Sequence, residues 1–511
     1  MSDVIPARPR LPAETPFGTL IGWLGDRLVA APDVSDPDST VVTGLTLSSQ
    51  RVRPGDLYAA LPGARAHGAS FATSAVQAGA VAILTDSDGA AASAGLGVPV
   101  LVVDRPRSLL GALAAKVYGE PARELCLVAV TGTQGKTTAT RLAEGGLQAA
   151  GVPAAVVGTV GTRINGTEVK TALTTPEAPD LHALFAVMRE QGVHGCAMEV
   201  SSHALVMGRV DGVVFDVAAF TNLGRDHLDF HADIEEYFAA KASLFTPSRT
   251  RRGLVNIDDE YGRRLLTRPS VPLRTFSTSG AAADWMALDI VMSPTGSTFV
   301  VQAPDRRRFP ARVPLAGDFN VANALTAIAA LGEAGFDASV VAQGIASSAG
   351  VPGRLEQVDV GQDFLAIVDY AHKPDAVTAA LNALRAITEG RLVIVLGAGG
   401  DRDHGKRSIM GETAARLADV LIVTDDNPRT EDAAIIRAAV LAGAGAVPEV
   451  GRAEVHESGD RRNAIRLAVS LARAGDTVVV AGKGHEVGQE VDGLVHPFDD
   501  RNVLREELAA R

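Results

Sequence analysis

The sequence predicts an α/β protein of three domains, two of them built on mostly parallel sheets, and three observations carry that prediction. The chain has 511 residues, of which 46% are hydrophobic, enough to bury several cores at ordinary domain size. Short apolar runs ending in polar or Gly-rich loops alternate with helix-patterned segments, as expected of parallel strands covered on both faces. The stretch Gly350-Val351-Pro352-Gly353 breaks that alternation and reads as a linker.

The elements follow in order. Residues 1–124 hold the strand-like "VVTGLTLSS", then "GDLYAALPG", then strand and Ala-rich helix signals up to "VPVLVVD", which predicts a small α/β domain. Residues 125–350 carry the strands "CLVAV", "AAVVG", "GCAMEV" and "VVFDVAAFT" with helical segments between them, a parallel-sheet domain. Residues 351–511 carry "FLAIVDY", "RLVIVLGAGG", "DVLIVTDD" and "DTVVVAG", and predict a second parallel domain of Rossmann-like type.

Charge narrows the partners. A net charge of -12 repels phosphate backbones and anionic lipid surfaces, so no nucleic-acid partner and no membrane insertion are expected. The N-terminus lacks a basic segment followed by an apolar one, which predicts a cytoplasmic protein, and a monomer is expected. Cys126 and Cys196 are the only cysteines and suggest neither a disulfide framework nor a CxxC metal site. Of the 48 Lys and Arg residues only seven are Lys: Lys116, Lys136, Lys170, Lys241, Lys373, Lys406 and Lys483. Against so strong an Arg bias, Lys should persist where a compact or neutralisable amine is required.

The central chemistry starts at "TGTQGKTT", residues 131–138, between the apolar run Leu127–Val130 and a helical segment. Strand, Gly turn and helix start aim backbone N–H groups and the positive helix end at one anion. Lys136 can reach terminal phosphates, and the Thr137 hydroxyl can ligate Mg²⁺. The common pattern GxxxxGK[ST] is altered here, since Val130 stands where its first Gly would be. No NKxD-type stretch reads guanine, so ATP is the expected nucleotide.

Two further strand ends should face the loop. "AMEVSSHAL" supplies Glu199, Ser201 and His203, and "FTNLGRDHLDFH" supplies Asp226, His227, Asp229 and His231. Glu199 and His227 suit Mg²⁺ beside Thr137 and phosphate oxygens, while a zinc site on His227 and His231 lacks a third ligand. Lys241 lies in "YFAAKASLF", whose helical apolar spacing buries its stem; a desolvated amine there can be a nucleophile, a Schiff-base former or a target of CO₂.

The set "GTQGKTT", "EVSSHAL", "TNLGRDHLDFH", "AAKASLF", "GDFNVANALTA", "GRLE" and "DYAHKPD" resembles the Mur ligase family of ATP-dependent amide-forming enzymes, in family order from Thr46 to Glu486. Within the family, "LTLSSQ", "LTTPEA", "GAGGDRDHGKR", "DDNPRTED" and "AGKGHE" are similar to members that add the third residue to UDP-N-acetylmuramoyl-L-alanyl-D-glutamate. The resemblance implies an N-terminal UDP-sugar-binding domain, a central P-loop ATPase domain and a C-terminal Rossmann-like domain that binds the incoming amino acid.

It also implies roles. Gly132, Thr133, Gln134, Gly135, Lys136, Thr137 and Thr138 would cradle ATP, with Asn320, Asn323, Arg354, Asp369 and His372 approaching the nucleotide. Thr137, Glu199 and His227 would surround Mg²⁺, and Lys241 falls where the family carries a carbamylated Lys. Lys136, His203, His227 and Lys241 form the implied catalytic set, in which His203 and His227 stand open between ligand and acid–base roles. Leu47, Ser49, Ala64, Arg65 and Ala66 would hold the UDP-sugar, and Thr174, Thr175, Ser201 and Arg209 its muramoyl-dipeptide. Met207 departs from a polar residue that some relatives carry there.

The amino-acid pocket would use Arg402, Asp426, Asn427, Pro428, Arg429, Gly482 and Glu486. "DNPR" goes with meso-diaminopimelate in this family, and chemistry agrees: Arg429 offers a bidentate partner to the distal carboxylate, a group that L-lysine lacks. A lysine-adding member is the nearest alternative, followed by folylpolyglutamate- and alanine-adding ones. A NAD(P)-dependent dehydrogenase fails because Gly397, Gly399 and Arg402 do not make GxGxxG. A non-catalytic ATP-binding regulator leaves the substrate pockets without purpose.

Overall fold

The computed structural model describes residues 7–30, 32, 34–227 and 230–511. The chain divides into two compact units, Met1–Met286 with Thr326–Gly344, and Ala287–Leu325 with Ile345–Arg511.

The first unit contains a small sheet of four parallel strands, Gly44–Thr46, Asp56–Ala59, Ala82–Thr85 and Val100–Val102 in that order. Leu45, Leu57, Leu84 and Leu101 pack with Phe17, Leu20 and Leu113 to form its core. The stretch "VVTGLTLSS" is not one strand but two short pieces, Val41–Val42 and Gly44–Thr46, because Thr43 N–H turns to the carbonyl of Gly55.

The larger sheet of the first unit runs Thr167–Val169, Thr162–Ile164, Ala154–Val157, Gly195–Glu199, Cys126–Thr131, Val217–Phe220, Gly253–Asn256 and Leu273–Ser277. From Ala154–Val157 onward these strands are parallel, and an antiparallel hairpin closes the edge. Cys126–Thr131 therefore lies inside the sheet, which explains its unbroken apolar reading. The helix Lys136–Ala149 follows it directly and buries Leu142, Ala143 and Leu147. Packing is close enough that a Cβ on Gly195 would lie 2.8 Å from Leu147. The predicted strand "VVFDVAAFT" shrinks to Val217–Phe220: Phe215 makes only an isolated bridge, and the Asp216 carboxylate accepts from Leu127 N–H at 2.8 Å.

The second unit holds an antiparallel pair, Gly296–Gln302 with Arg308–Val313, and a six-stranded sheet. The sheet order is Glu356–Gln357, Leu365–Asp369, Thr477–Ala481, Leu392–Leu396, Val420–Val423 and Glu454–Glu457. All neighbours are parallel except the first pair. Alternate residues serve opposite cores: Ile367, Ile394, Leu421 and Val479 face one, and Val368, Val395, Ile422 and Val480 the other. Among the described residues, no helix is long and apolar enough to cross a membrane.

Candidate active site

The phosphate loop is shaped by its glycines. Gly132 has φ +150°, and a Cβ there would sit 1.9 Å from the Thr221 hydroxyl, so a larger residue must displace the loop. Gly135 has φ 84° and caps the helix that begins at Lys136. Thr221 Oγ1 donates to Gln134 O at 2.7 Å, and the Asn222 side chain accepts from Gln134 N–H at 2.9 Å. Thr133 N–H donates to Asn222 O at 2.9 Å. The loop is thus pinned to the next strand end, a restraint that the Gly-Lys-Thr pattern alone did not reveal.

Two lysine amines converge on a single loop carbonyl. Lys136 Nζ donates to Gly132 O at 2.8 Å and Thr133 O at 3.0 Å, and Lys241 Nζ donates to the same Gly132 O at 2.7 Å. Lys241 is 1% exposed, on the helix Ile234–Ala242. Its Nζ lies 4.6 Å from the centre of the Tyr237 ring, one helical turn earlier, and Tyr237 Oη meets Thr133 Oγ1 at 3.1 Å. The i, i+4 pairing of Tyr237 and Lys241 was visible in the sequence and marks Tyr237 as a further support of the loop.

The neighbouring strand ends bring acids and imidazoles beside this loop. Glu199 is buried and accepts from Thr159 N–H at 2.7 Å and Thr159 Oγ1 at 3.1 Å. Gly158 leaves it room, since a Cβ there would meet Glu199 Oε1 at 2.3 Å. The His203 ring stacks on Phe230 with centroids 4.0 Å apart and stands edge-on to His227 at 4.7 Å. His227 has φ 54°, and its Nε2 lies 3.3 Å from Asp226. His231 is buried with Nε2 3.0 Å from Ser202 Oγ, so that nitrogen is directed at a hydroxyl. Asp229 lies outside the described residues. Among the described residues, no group of three or more His, Cys, Asp or Glu is arranged to hold a metal.

The dipeptide-side residues cluster. Thr174 Oγ1 contacts Thr159 Oγ1 at 3.1 Å, Thr175 Oγ1 donates to Glu199 O at 2.9 Å, and Ser201 N–H donates to Thr175 Oγ1 at 3.3 Å. Arg209 reaches Thr175 O and forms an ion pair with Glu177 at 2.8 Å, a partner missed in the sequence. Leu47 and Ser49 follow the strand Gly44–Thr46, and Ala64, Arg65 and Ala66 lie exposed after the adjacent parallel strand Asp56–Ala59. His67 ties down the end of that second loop, contacting Asp86 at 3.0 Å and accepting from Ala69 N–H.

In the second unit, the remaining candidates lie at or beyond the carboxyl ends of parallel strands, save Asn320, Asn323 and Arg354. Asp426, Asn427, Gly482 and Glu486 meet. Asn427 Nδ2 donates to Glu486 Oε2 at 2.9 Å, and a Cβ on Gly482 would lie 2.4 Å from Asp426 Oδ2. Arg429 has φ 54°, pairs with Glu490 at 3.2 Å and donates to Gly400 O, while Pro428 O packs against Gly400. Arg402 is exposed on the loop before the helix Gly405–Leu417. Behind the pocket, Arg461 and Asp500 form a fully buried ion pair at 2.7 Å. Arg461 also donates to the carbonyls of Asp425 and Ala481 and so ties two strand ends together. Neither Arg461 nor Asp500 carried a sequence signal.

The expected nucleotide-side residues of this unit are firmly held. Asn320 Nδ2 donates to Ala316 O at 2.7 Å, and Asn323 Nδ2 donates to Asn320 Oδ1 at 3.0 Å. Arg354 lies 4.4 Å over the Tyr370 ring. Burial pushes the Asp369 carboxyl up despite its bonds from Leu355 and Ala371 N–H. Burial, with Lys373 and Lys406 nearby, lowers His372 to about 4, and its Nδ1 contacts Tyr370 O at 2.7 Å.

Comparison with known proteins matches the chain over three stretches. Residues 41–118 match the model for the Mur ligase family, catalytic domain; residues 130–331 match the Mur ligase middle domain; and residues 353–484 match the Mur ligase, glutamate ligase domain. The chain is 57% identical over 504 residues to a protein of Streptomyces avermitilis named UDP-N-acetylmuramoyl-L-alanyl-D-glutamate--2,6-diaminopimelate ligase, covering 98% of both chains. It is 50% identical over 500 residues to a protein of that name from Corynebacterium efficiens, covering 96% of this chain and 94% of the relative. A solved structure titled with the same ligase name superposes with a TM-score of 0.68 at 33% identity, covering 94% of this chain and 97% of the other.

Proposed function

The chain belongs to the Mur ligase family, and from that premise we propose that it is the ATP-dependent, ADP-forming ligase that joins meso-diaminopimelate to UDP-N-acetylmuramoyl-L-alanyl-D-glutamate. The product is a peptidoglycan precursor, and the enzyme works in the cytoplasm as a monomer. Its functional divisions are residues 1–124 for the UDP-sugar, 125–350 for ATP and 351–511 for the amino acid. The turn shaped by Gly132 and Gly135, with the Lys136 amine laid on it at the start of a helix, carries the ATP reading. Backbone N–H groups at a helix N-terminus with an amine beside them favour a polyanion.

The residues fit ATP and Mg²⁺. Gly132–Thr138 offers backbone N–H groups without a side chain at the tightest point, and Thr137 with Glu199 and His227 offers oxygen and imidazole donors. Mg²⁺ usually takes one or two carboxylates, water and phosphate oxygens, so a mixed donor set suits it better than zinc. When bound, Mg²⁺ neutralises phosphate charge. His203, wedged between Phe230 and His227, holds His227 in place. A carbamate on Lys241 would replace one of two like charges at Gly132 O with an anion, while its N–H keeps the bond to that carbonyl.

The chemistry proceeds by positioning. The D-glutamyl carboxylate attacks the γ-phosphate in line, ADP leaves, and the amine of diaminopimelate attacks the acyl phosphate to release phosphate. Lys136 steadies the transferring phosphoryl group. Thr174, Thr175, Ser201 and Arg209 hold the dipeptide, and Leu47, Ser49 and Ala64–Ala66 the uridine-linked sugar. Asn320, Asn323, Arg354, Asp369 and His372 serve the nucleotide. Arg402, Asp426, Asn427, Pro428, Arg429, Gly482 and Glu486 receive diaminopimelate, with Arg429 on its distal carboxylate and Glu486 on its distal ammonium.

The test is phosphate release from ATP with purified protein, Mg²⁺ and UDP-N-acetylmuramoyl-L-Ala-D-Glu, comparing meso-diaminopimelate with L-lysine. Release with diaminopimelate is expected. Release with L-lysine alone would overturn the substrate, and release with neither would overturn the reaction.

A further inference from the structure

We infer that Lys483 is a positioning residue that fixes the Asn427 amide and sets the charge of the amino-acid pocket, and thereby favours a substrate carrying a second carboxylate. The inference rests on the ligase reading above. Lys483 is 0% exposed. Its ammonium donates to Asn427 Oδ1 at 2.8 Å and lies 3.5 Å from Glu486 Oε2 and 3.9 Å from Asp426 Oδ1. Glycines on either side make this burial possible. Gly482 has φ 117° and Gly484 φ 54°, so the chain can turn inward twice in three residues.

The bonds settle the orientation of Asn427. Its Oδ1 accepts from both Lys483 Nζ and Glu490 N–H, at 2.8 and 3.0 Å. Its amide nitrogen must then face Glu486, which it does at 2.9 Å. Removing the ammonium takes away one of the two bonds that oppose an amide flip, and a flip would turn the Asn427 oxygen against the Glu486 carboxylate. Glu486 would then lose its Asn427 and Lys483 contacts and keep its hydrogen bond with Tyr370.

Charge makes the second half of the argument. Asp426 and Glu486 are two carboxylates around one ammonium, with Arg461 and Lys406 also close enough to act on Asp426. Removing Lys483 makes the pocket one unit more negative, which disfavours the distal carboxylate of diaminopimelate relative to L-lysine. A unit charge removed from a buried pocket at this range shifts discrimination roughly ten- to a hundredfold. The three acceptors surround one point, which suits the compact three-donor ammonium rather than a planar guanidinium. This accounts for a Lys here in a chain that mostly uses Arg.

The test uses the full-length protein with wild type, Lys483→Gln, Lys483→Arg and the double variant Lys483→Gln with Asp426→Asn. Phosphate release by wild type with diaminopimelate checks the ligase reading separately, because its failure would not depend on Lys483. In Lys483→Gln, the KM for diaminopimelate should rise roughly ten- to a hundredfold, and the ratio of kcat/KM for diaminopimelate over L-lysine should fall comparably. The KM for ATP should stay within about twofold, as expected for a residue that serves only the amino acid. Lys483→Arg keeps the charge and should retain more of the ratio than Lys483→Gln. The double variant restores the charge count, so its ratio should recover even where its KM does not. A fall in kcat with unchanged KM and ratio, or a double variant no more selective than the single, would overturn the proposal. Should Lys483→Gln fail to fold, the Lys483→Arg ratio and KM decide it.

Discussion

The phosphate loop of the first unit and the amino-acid pocket of the second are built in different ways. In the loop, two amines 105 residues apart in sequence meet on one backbone carbonyl, and most of the remaining bonds are made by backbone groups of consecutive residues. In the pocket, side-chain charges are paired across strand ends: Lys483 with Glu486 and Asp426, Arg429 with Glu490, and Arg461 with Asp500. A site of the first kind suits a polyanion and depends on local backbone shape. A site of the second kind suits a zwitterion, whose two signs can exchange with pairs already present, and depends on side chains from separate strand ends.

Lys136→Ala gives the largest expected effect. It should lower phosphate release at saturating substrates about a thousandfold, or about 4 kcal/mol, while leaving diaminopimelate binding by calorimetry intact. Loss of both would dissolve the contrast between the regions. Arg461→Met comes next. It leaves Asp500 buried without its cation, and should cost the second unit about 3 kcal/mol or more. Thermal unfolding followed by calorimetry checks this, and Arg461→Met with Asp500→Leu should recover much of the loss.

The same contrast explains what could be read from sequence. Gly132, Gly135, Lys136 and Thr137 fall within six consecutive residues, so their chemistry is written as a spacing. Lys241 was marked by helical burial and by the scarcity of lysine. Asn427 follows the strand Val420–Val423 while Gly482 and Glu486 follow Thr477–Ala481, so no spacing betrayed their meeting; only resemblance joined them. Arg461 and Asp500 escaped both routes, because a buried ion pair of residues 39 apart looks like two ordinary surface charges. Strand ends were the other weak point: "VVFDVAAFT" reads as one apolar run, and only the bond from Leu127 N–H to Asp216 shows where pairing stops.

Acid acts on both units by a smaller amount. Each holds a buried histidine that burial lowers to about 4, His182 in the first and His372 in the second. The unfolded histidine takes a proton near 6.5 that the folded one excludes. The stability involved is therefore present above that value and is lost as pH falls toward 4, about 2 kcal/mol per histidine at pH 5. In the second unit, Asp369 and Asp425 are raised by burial and work the other way, gaining stability as they protonate. Between pH 7 and pH 5 both units should lose stability to their histidines, read from hydrogen exchange of their central strands, and His182→Gln should flatten the first unit's response alone.

Arg429→Lys gives the smallest effect and the finest test of the pocket. The Arg429 guanidinium is shared between Glu490 and Gly400 O, and its backbone sits at φ 54° with its N–H bonded to Glu490 O. A distal carboxylate must therefore compete with Glu490 for the planar face of the guanidinium, which limits what the bidentate contact contributes. Lysine at this position keeps the charge but not the fork. The KM for diaminopimelate should rise about tenfold, or about 1.4 kcal/mol, with the KM for ATP unchanged. Glu490→Gln, which weakens the competitor, should move the diaminopimelate KM the opposite way by a few-fold. If both variants raise it, Glu490 assists the substrate rather than competing with it, and Arg429 is held by the hairpin of Gly488–Val491 with Leu494–Pro497 for shape rather than for charge.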